Sequence, residues 1–288
     1  MKVYLDGKLV EREKAVVSVF DHGLLYGDGV FEGIRIYNKL IFRLKEHLDR
    51  LYRSAIAIEL KIPMTKADMV KAVVRTVKAN NLRDGYVRLV ITRGPGDLGL
   101  DPRRCKKATI FIIADKIALY PDEFYQKGLA IITARTRRNY PRSLDPRIKS
   151  LNYLNNILAK IEAIKSGTDE AIMLTCDDHV AECTGDNIFA VHGGELLTPP
   201  VSVGALEGIT REAVMALADK VGMKAREKML KMDDIYGAEE VFLTGTAAEI
   251  ISVITIDGRK IGTGKPGVKT LSFMKEFKKL TKSDGLRY

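Results

Sequence analysis

Leu144-Asp145-Pro146-Arg147-Ile148-Lys149-Ser150-Leu151-Asn152-Tyr153-Leu154-Asn155-Asn156 is the stretch on which the reading of this chain turns. A proline-punctuated loop ends at Pro146. Leu151, Leu154, Leu158, Ile161 and Ile164 then recur at the spacing of one apolar helix face. Ser150 has the side chain of an N-cap for that helix. This puts the Lys149 amine at the positive end of a helix, where its protonated form is disfavoured, and partial burial acts in the same sense. A lysine kept neutral is a nucleophile suited to forming an imine with a carbonyl. Tyr153, four residues on, is placed to share its side of the first turn. Most lysines at helix starts are merely solvated charges, so the weight falls on what else the chain carries.

The chain has 288 residues, 46% of them hydrophobic, enough for a sizeable core and two domains. No apolar run is long enough to span a bilayer, and Met1-Lys2-Val3-Tyr4-Leu5-Asp6-Gly7 reads as a strand entering a turn, not as a signal peptide. Cys105, Cys176 and Cys183 show no paired spacing, which suits a reducing, cytoplasmic setting. The net charge of +10 is dispersed among acidic residues, with its densest stretches at Arg135 to Arg142 and in the C-terminal tail. It reads as a solvated basic surface with some field for anionic ligands, not as a nucleic-acid partner. His22, His47, His179 and His192 do not pair at metal-ligand spacing, so no metal is expected.

Short strands are expected at Val3 to Leu5, Leu9-Val10, Val16 to Phe20, Val30 to Tyr37 and Leu40 to Arg43. Helices follow at Leu44 to Ile58 and Thr65 to Ala79, with Thr65 and Asp68 as a capping box. Tyr86 to Thr92 and Thr109 to Ile113 read as strands around a Gly- and Pro-rich loop at Arg93 to Pro102. The division expected is 1–116 for a smaller N-terminal α/β domain, 117–126 for an interdomain loop and 127–288 for a larger C-terminal domain. That last part opens on a strand, Leu129 to Thr133, and the Lys149 helix. Strands follow at Glu170 to Thr175, Val180 to Glu182, Asn187 to Val191 and Glu195 to Thr198, then a helix from about Ile209 and a strand at Glu240 to Leu243.

An imine-forming lysine suggests pyridoxal 5'-phosphate (PLP), which needs an acid at its ring nitrogen, donors for its phosphate and a donor for its ring oxygen. Glu182 stands at a strand end. Gly208-Ile209-Thr210-Arg211 opens a helix and so offers free N–H groups. Thr244-Gly245-Thr246-Ala247-Ala248 is a hydroxyl-rich turn that could form an anion nest. Tyr153 can donate to the ring oxygen, and Arg50 can serve as a phosphate cation. Each taken singly is also a plain cap, turn or surface side chain; their joint occurrence is the signal.

Together these residues make the chain resemble the class IV, fold-type IV PLP-dependent aminotransferases, and among them the branched-chain amino acid aminotransferases. The resemblance runs from Tyr4 to about Lys269. It is carried by Tyr26 to Arg35, Arg43 to Leu51, Tyr86-Val87-Arg88, Gly96 to Pro102, Ile148 to Asn155, Glu182 to Phe189, Leu206 to Arg211 and Gly245 to Glu249. It implies two α/β (α+β type) domains, the second with a mixed or antiparallel, barrel-like sheet, and the cofactor between them. It implies Lys149 as the Schiff-base lysine and proton shuttle, Glu182 on the pyridine nitrogen and Tyr153 on the ring oxygen. Arg50, Ile209, Thr210 and Thr246 would hold the phosphate, and N–H groups at Ala247 and Ala248 the substrate carboxylate. Tyr26 and Phe31 would wall the side-chain pocket, and Leu100 would come from a neighbouring subunit. A homodimer at least is implied, with a hexamer as the larger form.

Tyr86-Val87-Arg88 separates members of the family. The branched-chain enzymes carry Tyr-x-Arg here, and D-amino acid aminotransferases typically Arg-x-His. An arginine at the edge of an apolar pocket can pair with a glutamate side chain and leave room for an aliphatic one; Tyr86 can bond the α-carboxylate. The expected reaction is transamination of L-leucine, L-isoleucine or L-valine with 2-oxoglutarate. D-amino acid aminotransferase and aminodeoxychorismate lyase are the alternatives of the same fold. One departure stands out: the chain has no Trp, and Asp115-Lys116-Ile117-Ala118-Leu119-Tyr120 occupies the place of an aromatic-rich stretch.

Overall fold

The computed structural model describes residues 1–117 and 120–288; residues 118–119, within the expected loop 117–126, lie outside the described residues. The chain divides into two compact units, one of Met1–Ile117, Ile148–Asn152 and Thr281–Tyr288, the other of Ala118–Arg147 and Tyr153–Leu280. Relative to the expected 1–116 and 127–288, two segments of the C-terminal half are thus claimed by the first unit.

The first unit contains β1 (Lys2–Leu5), β2 (Lys8–Glu11), α1 (His22–Tyr26), β3 (Gly29–Tyr37), β4 (Leu40–Phe42), α2 (Leu44–Ala57), α3 (Lys66–Ala79), β5 (Gly85–Thr92) and β6 (Thr109–Asp115). The chain's last strand, Gly285–Arg287, pairs with β4, and the antiparallel order runs from it through β4, β3, β5, β6 and β1 to β2. Two helices cover this sheet. α2 turns Leu44, Leu48, Leu51 and Ala55 inward, and α3 turns Met69, Val73 and Val77, the spacing of one helix face in each. Thr65 caps α3 by accepting the Asp68 N–H at 3.1 Å.

The expected strand at Val16 to Phe20 does not form. Ser18 folds this segment back, its hydroxyl and its carbonyl accepting the N–H groups of Phe20 and Asp21. Val16, Val17, Val19 and Phe20 are exposed.

Lys149 is placed by β3. On one edge β3 pairs with β5 along most of its length, but on the other β4 reaches only Ile36 and Tyr37. The Gly29–Phe31 end of that edge is taken by residues 149–151. Phe31 N–H donates to Lys149 C=O and Leu151 N–H to Gly29 C=O, each at 3.0 Å, and Val30 bridges Ser150. Ser150 is therefore not an N-cap, and Lys149 does not stand at a helix start. The corresponding helix begins only at Leu154, with Tyr153 as its cap residue.

The second unit contains α4 (Asp122–Lys127), β7 (Leu129–Thr133), α5 (Leu154–Lys165), β8 (Glu170–Leu174), β9 (Val180–Cys183), β10 (Asn187–His192), β11 (Glu195–Thr198), α6 (Ile209–Leu217), β12 (Lys224–Glu227), α7 (Met232–Tyr236), β13 (Glu240–Gly245), β14 (Glu249–Ile256), β15 (Arg259–Lys260) and α8 (Val268–Leu280). Its sheet is mixed, in the order β12-β11-β10-β13-β14-β7-β8-β9 with β15 beside β14; the β11/β12, β14/β7 and β7/β8 pairs are parallel. Gly193 and Gly194, both at positive φ, make the tight turn between β10 and β11 that their sequence announces. Phe242 stacks on Phe189 at 5.1 Å and meets Phe273 of α8 at 5.6 Å.

The helix α5 corrects the second part of the first expectation. Its apolar stripe exists but faces outward, with Leu154, Ile157, Leu158, Ile161 and Ile164 all exposed. The face turned to the sheet is Asn156, Ala159 and Ala163, small enough for the helix to lie close against Ala171 and Met173 of β8. Among the described residues, no helix is long and apolar enough to cross a membrane.

Candidate active site

In the first unit the candidate residues gather around Phe31. The Lys149 Nζ lies 4.6 Å from the centre of the Phe31 ring and the Arg88 guanidinium carbon 4.7 Å from it. Both are within cation–π range of a ring that is itself buried. Arg88 also lies over Tyr86, and its Nη2 donates to the Tyr86 hydroxyl at 3.4 Å. Tyr86 can lie there because Gly33 has no side chain: a Cβ at that position would fall 1.7 Å from the phenol oxygen. The Lys149 N–H donates to Ser54 Oγ of α2 at 3.1 Å, so the backbone beneath the amine is held from two elements.

Arg50 is buried and forms a paired fork with Glu32. Nε donates to Oε1 at 2.7 Å and Nη2 to Oε2 at 2.8 Å. His47 completes the group, with its Nδ1 2.7 Å from Glu32 Oε2. Burial alone would push the Glu32 carboxyl up, but Arg50 and His47 together outweigh it and hold it well below the usual carboxylate range. Burial pushes His47 below its ordinary value, against the pull of Glu32 and with Arg50 and Lys149 adding to the effect. A neutral His47 beside an ionised carboxylate must carry its proton on Nδ1. Its Nε2 is then an acceptor, buried and unpartnered among the described residues. Glu32 occupies two of the five Arg50 donors.

Tyr26 takes a different course. Its hydroxyl donates to the Leu98 carbonyl at 2.5 Å and its ring meets His22 edge-on. Leu98 and Leu100 stand out from the Gly- and Pro-rich loop, 71% and 78% exposed.

In the second unit the centre is Glu182, in β9 and 4% exposed. Arg138 donates to its Oε1 from Nε at 2.9 Å and from Nη2 at 2.8 Å, while the Leu206 N–H donates to Oε2 at 2.9 Å. Asn187 reaches Oε2 only at 3.4 Å and also donates to the Leu206 carbonyl at 2.9 Å. The same Asn187 is pressed against the start of α6, where a Cβ on Gly208 would fall 2.0 Å from its Oδ1. Gly208 is the N-cap residue of α6 and no side chain caps it, so the positive end of that helix is offered at Ile209 and Thr210, both buried. Thr246, Ala247 and Ala248 form the turn closing the β13–β14 hairpin, with Glu249 at a φ of 60° completing it. The Tyr125 hydroxyl donates to the Ala248 carbonyl at 3.1 Å. Tyr153 stands half-buried at the head of α5.

The family model described as amino-transferase class IV matches residues 29–256. The chain belongs to the class IV aminotransferases. A Methanocaldococcus jannaschii protein named putative branched-chain-amino-acid aminotransferase is 51% identical over 287 residues, covering 100% of this chain and 99% of the relative. A Bacillus licheniformis D-alanine aminotransferase is 38% identical over 276 residues, 94% of this chain and 93% of the relative. The Escherichia coli branched-chain amino acid aminotransferase structure superimposes with a TM-score of 0.95 at 33% identity, over 99% of this chain and 96% of its own. A T.th. branched-chain amino acid aminotransferase, solved with pyridoxamine 5'-phosphate, gives 0.94 at 36%, over 98% and 94%.

For a class IV aminotransferase the donor set is chemically apt. A buried carboxylate suits a ring nitrogen, and an uncapped helix start with Thr210 suits a phosphate. Sequence reasoning named Arg50, Glu182, Thr210 and Thr246 but passed over Glu32, His47, Ser54, Arg138, Asn155, Asn156 and Asn187. Two signals were present. Asn155-Asn156 interrupts an apolar helix, and Arg138 sits in the densest basic stretch.

Proposed function

We propose that this chain is a PLP-dependent aminotransferase of branched-chain L-amino acids, taking the amino group of leucine, isoleucine or valine and passing it to 2-oxoglutarate to give L-glutamate. The observation that carries the substrate class is the Phe31 ring beside Lys149, with Arg88 and Tyr86 at its edge. An apolar ring accepts an aliphatic chain, and a neighbouring guanidinium accepts the side-chain carboxylate of glutamate. Such a wall separates similar aliphatics by only about 1–3 kcal/mol per methylene, so overlapping activity on the three is expected.

Bound PLP supplies an aldehyde that condenses with amines and a ring that takes up the electrons of a breaking Cα–H bond. Lys149 holds the cofactor at rest. Its Nζ would serve as the base that takes the substrate's α-proton and as the acid toward the second carbon, which gains one. Glu182 holds the proton of the ring nitrogen, and Tyr153 donates to the ring oxygen. Arg50, the N–H groups of Ile209 and Thr210, and Thr246 hold the phosphate. Tyr86 and the N–H groups at Ala247 and Ala248 bind the α-carboxylate, which orients the Cα–H bond toward Lys149. Tyr26 and Phe31 shape the side-chain pocket, and Leu100 serves a neighbouring copy. The exposed Val16, Val19, Phe20, Leu24, Leu98 and Leu100 support a homodimer, and the outward stripe of α5 a larger assembly such as a hexamer. The three free cysteines suit a cytoplasmic location.

A second reading, D-amino acid aminotransferase, draws on the D-alanine aminotransferase relative. The visible absorption of the PLP-loaded protein separates the two. Bleaching by L-leucine and recovery with 2-oxoglutarate is the expected result. Bleaching by D-alanine alone would move the assignment to the second reading, and no visible band after PLP addition would overturn both.

A further inference from the structure

We propose that Arg138 is a positioning residue for this reaction, acting with Asn155 and Asn156 to hold Glu182 as an aimed, acceptor-only anion for the ring nitrogen. The inference rests on the reading that Glu182 meets that nitrogen.

Arg138 is 7% exposed and Asn156 6%, nearly as buried as Glu182 itself, while Asn155 is half-buried. Arg138 spends both Nε and Nη2 on the same oxygen, Oε1. Its Nη1 is held at 3.1 Å by the side-chain oxygens of Asn155 and Asn156. Those amides are oriented in turn, Asn155 donating to the Arg137 carbonyl at 2.7 Å and Asn156 to the Thr184 carbonyl at 2.8 Å. The fork cannot rotate without breaking this set. A carboxylate offers about four lone-pair positions. Oε1 has two charge-assisted donors, whereas Oε2 has one N–H at 2.9 Å and the long Asn187 contact. A further N–H is therefore accommodated at Oε2, by displacing the weak contact. A carboxylate this buried with no cation beside it would be costly to keep charged, and a neutral acid would not hold a protonated ring nitrogen. A plain structural staple between β9 and α5 would affect stability but would be indifferent to what the ring carries.

The test titrates apo protein by absorbance with PLP and with its carbocyclic analogue, in which CH replaces the ring nitrogen. Arg138→Met should weaken PLP by about tenfold or more and leave the analogue unchanged. Arg138→Lys, which keeps the charge but loses the fork, should lose less, again with PLP only; it carries the comparison should the methionine variant not fold. Glu182→Gln should show the same selectivity, and the double variant should bind PLP no worse than the weaker single one. Equal weakening of both ligands by the Arg138 variants, or none, overturns the proposal. A Glu182→Gln protein that does not distinguish the ligands instead overturns the reading of Glu182 on which it rests.

Discussion

Glu32→Gln removes one charge from a pair that is almost wholly buried, with Glu32 0% and Arg50 3% exposed. Glutamine keeps the shape and can still accept from His47 and from one Arg50 N–H, but its amide opposes the second donor and the guanidinium charge loses its counter-charge. Breaking a buried pair from one side costs about 3–5 kcal/mol, a large part of the roughly 5–15 kcal/mol that holds a typical domain folded. The urea midpoint should fall by about 1 M or more. The pH dependence follows from the direction of the shift. The folded carboxyl is held below its ordinary value, so its stabilisation is complete above the unfolded value of about 4.3. It is lost only as pH falls from there toward the depressed folded value. The gap between wild type and variant should thus be constant near neutrality and shrink in acid. Urea unfolding followed by circular dichroism at a series of pH values reads both. A gap under about 1 kcal/mol at neutral pH, the range of an exposed pair, or one that does not shrink in acid, would refute the buried ion pair. The double variant Glu32→Leu/Arg50→Leu removes both charges and should cost less than the two single substitutions summed.

Gly33→Ala should drive the Tyr86 phenol from its place, since the new methyl would fall on the hydroxyl oxygen. Steady-state kinetics should show KM for amino acids raised several-fold, with thermal unfolding shifted by no more than about 4 °C; an unchanged KM would remove Tyr86 from carboxylate binding. Arg88→Ala should lower kcat/KM for glutamate about tenfold more than for leucine, a difference of about 1.4 kcal/mol, measured with each as donor. Equal losses would deny Arg88 its part in accepting the acidic side chain.

What could be read ahead of the structure followed from how local the deciding forces are. The apolar spacing of Leu44, Leu48 and Leu51, and of Met69, Val73 and Val77, marks α2 and α3 because each face is decided within its own helix. Gly193-Gly194 announces its turn for the same reason. Glu32 and Arg50 lie on different elements, and no spacing reveals that one neutralises the other across a strand–helix contact. Arg138 and Glu182 are likewise joined only by tertiary structure. Val16 to Phe20 had the composition of a strand but found no partner edge, and Ser18 offered its backbone an alternative.

Lys149 shows how a tertiary contact can override the placement that the following sequence suggests. The periodicity after it does mark a helix, but the open edge of β3 competes for the preceding residues and wins. Its backbone bonds tie down 149–151 before the first turn can form. The positive end of α5 consequently falls at Tyr153 and Leu154 and not at Ser150. The residue proposed to form the imine gains something else from this placement. Its carbonyl is bound by Phe31 and its N–H by Ser54, so the main chain is fixed on both sides while the side chain keeps its own rotatable bonds. A proton shuttle needs that combination: a rigid origin, so that Nζ is aimed reproducibly, and a flexible arm, so that it can reach both the carbon that loses a proton and the one that gains it. An N-cap position, where backbone frays and N–H groups face water, would have supplied the polarity and lost the fixed origin.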